Sequence, residues 1–203
     1  MDRRKFLHQT AAAAVLTSIG GLTLPSFTNK KKHITILHTN DTHSRVEPFE
    51  TSHHRYANQG GVARRATLVE RIRKENTNTL LLDAGDIFQG TPYFNYFGGE
   101  LEFKLMSMLK YDVATIGNHD FDNSIEGLYK QLPNANFDFV SANYDFKNTV
   151  LDTHVKPYKI IMKDGIKIGV FGLGIQLEAL VDPKMYKETK YIDPLEIAQD
   201  MSR

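Results

Sequence analysis

From Ile34 onward the chain alternates short apolar runs with amphipathic stretches. Ile34-Thr35-Ile36-Leu37, Thr79-Leu80-Leu81-Leu82 and Asp112-Val113-Ala114-Thr115-Ile116 are nearly continuous in hydrophobicity. That is the pattern of strands covered on both faces rather than of half-exposed ones. Between them, residues 61–76 place Val62, Ala66, Val69 and Ile72 on one stripe with charges opposite, the signature of a helix packed on a sheet. Residues 100–110 repeat the pattern with Leu101, Leu105, Met108 and Leu109. A third, shorter helix is predicted over residues 124–132, with Ser124 as N-cap and Pro133 beyond its end, and residues 137–141 read as a fourth strand. The rhythm then changes: residues 158–162 and 166–171 flank Lys163-Asp164-Gly165, a hairpin signal. The succession predicts an α/β fold, a layered, largely parallel sheet with flanking helices and an antiparallel addition. The glycines of Gly169-Val170-Phe171-Gly172-Leu173-Gly174 lack the spacing of a dinucleotide fingerprint and read as a tight turn at the sheet edge. No phosphate-binding Gly-x-x-x-x-Gly-Lys loop and no Gly-x-Ser-x-Gly elbow is present.

Each of the first three strands runs into a polar cluster: Asp41-Thr42-His43, Gly85-Asp86 and Gly117-Asn118-His119-Asp120. In a sheet fed by helical crossovers such strand ends gather along one edge, where ligands bind. Singly, each cluster is an ordinary cap or turn. Together, Asp41, Asp86, His43, His119 and Asn118 offer two carboxylates, two imidazoles and a carboxamide, a donor set for hard-to-borderline divalent metals. The chain has no cysteine, which excludes disulfides, thiolate metal sites and a Cys nucleophile, so any metal is held by oxygen and imidazole nitrogen.

With 203 residues, 41% hydrophobic and 24% charged, the chain has the composition of one soluble domain. A net charge of +1 and only short basic runs argue against nucleic acid as a bulk electrostatic partner. Residues 1–32 are set apart as an export signal or N-terminal tail, leaving residues 33–203 as the folded domain. Asp2-Arg3-Arg4-Lys5-Phe6-Leu7 resembles a twin-arginine export signal, which implies an exported, periplasmic or cell-surface protein. Asp2 and His8 depart from that pattern, and a disordered basic tail is the alternative. The apolar stretch over residues 10–24, interrupted by Gly20-Gly21, is too weak for a stable membrane span, although an uncleaved signal anchor stays open.

The strand-end clusters also carry a family resemblance. Residues 34–44 (ITILHTNDTHS), 83–92 (DAGDIFQGTP) and 117–122 (GNHDFD) resemble the first three motifs of the calcineurin-like metallophosphoesterases, in the branch of the 5′-nucleotidases and 2′,3′-cyclic-nucleotide phosphodiesterases. Ser141-Ala142-Asn143 fits the same branch. The resemblance implies two divalent metal ions, zinc, manganese or similar, that acidify a bridging water and clamp a phosphate. Asp41, His43 and Asp86 would hold the first ion, and Asp86 and Asn118 the second. His119 would stand near the leaving oxygen as proton donor, oriented by Asp122, with Asn118 and His119 meeting the substrate. Asp120 stands where the branch often has Glu, and both a turn-stabilising and a functional role remain open for it. The implied substrate is a small phosphoester, a nucleotide above all, with a nuclease-type phosphodiesterase as the weaker reading.

The family pattern continues after Gly174 with a lone His and a Gly-His-x-His group, and no histidine follows His154 here. The second metal site is therefore expected to be incomplete, and the chain to represent the front part of a longer catalytic domain without its nucleotide-recognising partner domain. A catalytically incompetent fragment that binds one metal or phosphate weakly is the competing expectation. His33 and His154 lack a partner pattern, His38 is expected to pack at the end of the first strand, and His53 and His54 are expected to be solvated loop residues, with lining of the entrance as the alternative. Phe88 and the Tyr93-Phe94-Asn95-Tyr96-Phe97 stretch are expected to pack under a loop.

Overall fold

The computed structural model describes residues 31–203. The export-signal expectation falls on residues 1–30, outside the described residues. His33–Arg203 forms a unit by itself.

Four strands, β1 (Thr35–Thr39), β2 (Thr79–Asp83), β3 (Val113–Ala114) and β4 (Asp138–Phe139), form one all-parallel sheet in chain order. Thr35 pairs with Thr79 and Thr39 with Asp83, so β1 and β2 end level with each other. Helix α1 (Val62–Glu75) crosses from β1 to β2, with Val69 buried and Val62 and Ala66 packed against the core, as the stripe predicts. The Arg73 guanidinium ties its last turn to the segment just before β3, donating to the Leu109 and Lys110 carbonyls at 2.6 Å each. Helices α2 (Pro92–Phe97) and α3 (Glu100–Met108) link β2 to β3. Helix α4 (Ser124–Gln131), followed by a 3-10 turn over Leu132–Asn134, links β3 to β4. The Ser124 hydroxyl accepts the Gly127 N–H at 3.3 Å, the bond a capping serine makes, from a left-handed backbone at φ 61°.

The face that α3 buries differs from the expected one. Phe103, Met106 and Leu109 are buried, Leu101 and Leu105 only partly, and Met108 is 76% exposed. Aromatic packing decides the rotation: the Phe103 ring stacks on Phe88 at 5.0 Å and contacts Phe139 at 5.1 Å, joining a cluster with Phe94 and Phe137. An aromatic ring buries more area than Leu or Met, so the helix turns to satisfy it. Phe88 and Phe94 therefore pack in the core, whereas Tyr96 is 84% exposed.

The antiparallel pieces are two-stranded ladders, and the hairpin's flanks reach the continuation of β4 through Ser141 N to Lys156 O at 2.9 Å and Ala142 N to Gly172 O at 2.8 Å. One pairs β5 (Tyr144–Asp145) with β8 (Lys190–Tyr191); the other is the hairpin of β6 (Tyr158–Lys163) and β7 (Ile166–Phe171). Asp164 and Gly165 connect the hairpin with positive φ of 49° and 75°, the conformation a two-residue turn requires to follow the strand twist. Two further helices, α5 (Pro183–Tyr186) and α6 (Pro194–Met201), start on Asp182 and Asp193, whose carboxylates accept from Lys184 N at 2.9 Å and Leu195 N at 2.7 Å. The glycines after β7 do not make the expected tight turn. They permit close passage: a Cβ on Gly172 would lie 2.2 Å from Thr115 Oγ1, and one on Gly174 2.2 Å from the Tyr144 ring.

Asp83 closes β2 with 5% exposure. Its Oδ2 accepts the Thr39 hydroxyl at 2.6 Å and its Oδ1 the Gly85 N–H at 2.9 Å, while the Tyr111 hydroxyl lies 2.7 Å from the same Thr39 oxygen. Burial pushes the carboxyl up to about 6, against the opposing pull of the Thr39 and Gly85 hydrogen bonds. A carboxyl raised on folding contributes stability below its unfolded pKa and loses it as pH climbs through the folded value. Asp83→Asn keeps the shape and removes that loss. In urea unfolding, the variant is expected to gain stability relative to wild type as pH rises from about 4 to about 7. A pH-independent difference would contradict this.

Candidate metal centre at the strand ends

The β1–β2 register does not stop where the strands do. Ala84 N donates to Thr39 O at 2.8 Å, Asp41 N to Gly85 O at 3.0 Å, His43 N to Asp86 O at 3.1 Å and Ser44 N to Ile87 O at 2.8 Å. The ladder thus carries the loop after β1 alongside the turn after β2 and fixes Asp41 and His43 beside Asp86. The backbone there is strained, with positive φ at Asp41 (50°), His43 (44°), Ser44 (51°) and Asp86 (55°). Asp and His enter this region more readily than most residues, yet it costs of order 1 kcal/mol each and persists where surrounding structure over-determines it. Gly117 supplies the space: a Cβ there would lie 2.1 Å from Asp86 Oδ1.

One donor atom from each of Asp41, His43 and Asp86 lies within 4.8 Å of the others, the single such His/Cys/Asp/Glu group among the described residues. Asp41 Oδ1 is 3.8 Å from His43 Nε2. His43 Nδ1 sits 3.1 Å from the Phe88 carbonyl, which can only accept, so Nδ1 carries the proton and Nε2 presents its lone pair. The Asn40 side-chain amide donates to Asp41 Oδ2. Two carboxylates and a neutral imidazole fit a divalent cation of the zinc or manganese kind.

The third loop meets this group from the other side, through a 3-10 turn over His119–Phe121. The His119 N–H donates to Asp86 Oδ1 at 2.9 Å. Asn118 lies between Gly117 and His119, both of which adjoin Asp86. His119 Nδ1 is 2.9 Å from Asp122 Oδ2, and its ring stands edge-on to His43 with centroids 5.1 Å apart. Burial lowers the His119 pKa, but Asp122 outweighs it, through a hydrogen bond and charge, with help from Asp86 and Asp120; the imidazole is held above its ordinary value.

All six residues anticipated from the sequence, Asp41, His43, Asp86, Asn118, His119 and Asp122, therefore lie on the three loops at one sheet edge. The remaining histidines do not join them. His53 stacks on His54 at 5.0 Å in the loop before α1, and His154 packs against Tyr129 at 5.0 Å. His38 is exposed on β1. Beside the donor group opens a cleft of about 470 Å³ lined by Asn40, Thr42, Arg45 and Arg65 among others, with the Arg45 guanidinium over the Phe49 ring at 4.4 Å.

Asp120 is the residue whose part the sequence leaves undecided. It is 0% exposed, and its carboxylate accepts Ile87 N at 2.9 Å and Phe88 N at 3.1 Å on Oδ1, and Gly117 N at 2.8 Å and Asp86 N at 3.1 Å on Oδ2. Burial pushes its carboxyl up to about 7 in spite of the Gly117 and Phe88 bonds. An acid directly after Gly-Asn-His is the available signal, but burial and bonding are invisible in one sequence.

A parallel sheet with flanking helices, with a candidate group of oxygen and imidazole donors on the loops after its strands, is the fold of the metallophosphoesterase class. Within it, the chain belongs to the calcineurin-like phosphoesterase family, which residues 34–198 match. It is similar to the snake venom 5′-nucleotidase of Crotalus adamanteus, 44% identical over 146 residues, covering 68% of this chain and 25% of that protein. Among solved structures it resembles the 5′-nucleotidase precursor of Thermus thermophilus, with 36% identity and TM-score 0.72, covering 82% of this chain and 33% of that one. The NAD nucleotidase of Haemophilus influenzae gives 35% identity and TM-score 0.73 over 83% of this chain and 31% of that one. The chain thus spans about a quarter to a third of the length of these relatives.

The crowding at Gly117 generates a prediction. Gly117→Ala must push Asp86 off its position and is expected to weaken Mn²⁺ binding about tenfold or more, the range in which groups supporting a ligand act. Isothermal titration reads this directly, and wild-type affinity in the variant would refute the crowding argument.

Proposed function

We propose that the chain carries the metal-binding front of a phosphoester hydrolase site that acts on small nucleotide-type substrates. The observation that carries this reading is the single cluster of Asp41, His43 and Asp86 donors among the described residues, within 4.8 Å of one another, with the His119 ring 5.1 Å from His43. Asp41, His43 and Asp86 would hold one divalent cation, and Asp86 with Asn118 would contribute to a second. Such cations acidify water and neutralise the phosphoryl oxygens. His119, oriented by Asp122, donates a proton to the departing ester oxygen, and the Asn118 amide and His119 ring orient the phosphoryl group. The similarity to a 5′-nucleotidase and an NAD nucleotidase supports a nucleotide as substrate. The near-neutral charge of +1 supports a small molecule over nucleic acid.

A second reading, one bound cation without turnover, is favoured by one specific observation: three carboxylate and imidazole donors converge among the described residues, enough for one ion but not for two. The two separate in one experiment on purified protein with Mn²⁺, following metal uptake calorimetrically and phosphate release from a nucleoside monophosphate. Under the hydrolase reading, wild type turns over, His119→Ala loses about 10²–10⁴-fold in rate with metal uptake intact, and Asp86→Ala loses both. Metal uptake with no phosphate release selects the second reading.

We further infer export through the Arg3-Arg4 segment, since it precedes a mildly apolar stretch over residues 10–24. Among described residues no helix is long and apolar enough to cross a membrane. Replacing both arginines by lysine is expected to leave the protein in the cytoplasmic fraction of a host with the twin-arginine route. Unchanged export would remove that route from the account.

A further inference from the structure

We propose that Asp120 is a positioning residue whose carboxylate sets the separation of the Asp86 turn from the Asn118–His119 loop and so preorganises both toward a divalent cation. The inference rests on the functional reading that these residues face a metal. Its physical basis is the bonding of Asp120 itself. A carboxylate offers about four lone-pair directions, and here all four are taken: Oδ1 by the N–H groups of Ile87 and Phe88, Oδ2 by those of Asp86 and Gly117. Asp120 therefore has no lone pair left for a metal, although it follows the metal-facing loop directly. Its role is to hold other groups.

What it holds is specific. Three of the four donors belong to the turn after β2 and one to the loop after β3, so one side chain bridges segments about thirty residues apart. At 0% exposure no water competes for these four bonds, so each one broken leaves a buried N–H unpaired. Asp86 is gripped twice by the third loop, at its N–H by Asp120 and at its Oδ1 by the His119 N–H. The Asp86 carboxylate, with one of its acceptor directions fixed by this bond, still offers an oxygen within 4.8 Å of donors from Asp41 and His43. The left-handed backbone at Asp86, φ 55°, is a conformation that needs such outside support.

An amide cannot replace this carboxylate. Asn at position 120 keeps shape and volume but turns an NH₂ group toward two of the four N–H donors, leaving them unpaired in the interior. The test uses the whole chain and Co²⁺ as a spectroscopic probe. Asp120→Asn is expected to lower Co²⁺ affinity about tenfold or more and to alter the ligand-field spectrum of the bound ion, effects that loss of general stability does not produce in the folded fraction. Asp120→Glu, which restores four acceptor directions, is expected to recover part of the affinity that Asn loses. Hydrogen exchange on metal-free wild type gives an arm independent of variant folding. The amides of Asp86, Ile87, Phe88 and Gly117 are expected to be protected before metal is added. Free exchange of those amides until metal arrives overturns the proposal, as does a folded Asp120→Asn protein with wild-type affinity and spectrum. Wild type that takes up no Co²⁺ overturns this proposal and the functional reading together.

Discussion

The four residues from Gly85 to Phe88 form the hub of the site, because their backbone polar groups are fully committed in two directions. Toward the loop after β1, the carbonyls of Gly85, Asp86, Ile87 and Phe88 accept from Asp41, His43 and Ser44 N–H groups and from the His43 ring. Toward the opposite side, the Gly85 N–H goes to Asp83 and the next three to Asp120. A buried turn with no unpaired group has little freedom to shift, since any displacement breaks bonds that water cannot replace. The three loops are locked to one another through this turn, and the side chains they carry inherit its rigidity. The parallel sheet beneath contributes the alignment: β1 and β2 end level, so the ladder passes without interruption from strand to loop.

Two histidines about one ring's width apart are given different work by one hydrogen bond each. His43 is bonded to a carbonyl, which fixes its tautomer. His119 is bonded to a carboxylate, which favours the protonated ring. The same side chain thereby becomes an electron-pair donor in one place and a proton donor in the other, and the partner rather than the residue decides. The separation also limits interference, because the lone pair of His43 and the proton-bearing ring of His119 stand edge to face rather than in line.

Much of this arrangement is legible in the amino-acid sequence. The alternation of apolar runs and amphipathic stretches points to the four parallel strands and three crossover helices, since sheet and helix periods differ enough to be distinguished over ten residues. The gathering of Asp41, His43, Asp86 and Asn118 follows from topology, because parallel strands must end on one side. Other features depend on contacts that no local pattern encodes. The buried face of α3 escapes the helical stripe because Phe88, from a distant segment, competes for Phe103. Gly172 and Gly174 suggest a turn, but what makes them small is the proximity of Thr115 and Tyr144. The β6–β7 turn is plain from Asp164-Gly165, whereas the hairpin's attachment through its flanks to the continuation of β4 is not. Asp120 is visible as an acid but not as an acceptor of four backbone bonds.

The left-handed backbone at Asp41, His43 and Asp86 bears on how such a protein can be altered. Glycine occupies that conformation without the steric penalty of a Cβ, so a redesign scored only on folding free energy would be drawn to replace these three positions first. Heat tolerance and chemistry would then be selected in opposite directions at the same three backbone positions. Gains in robustness are better sought inside the helices and strands, away from the left-handed positions that the site loops depend on.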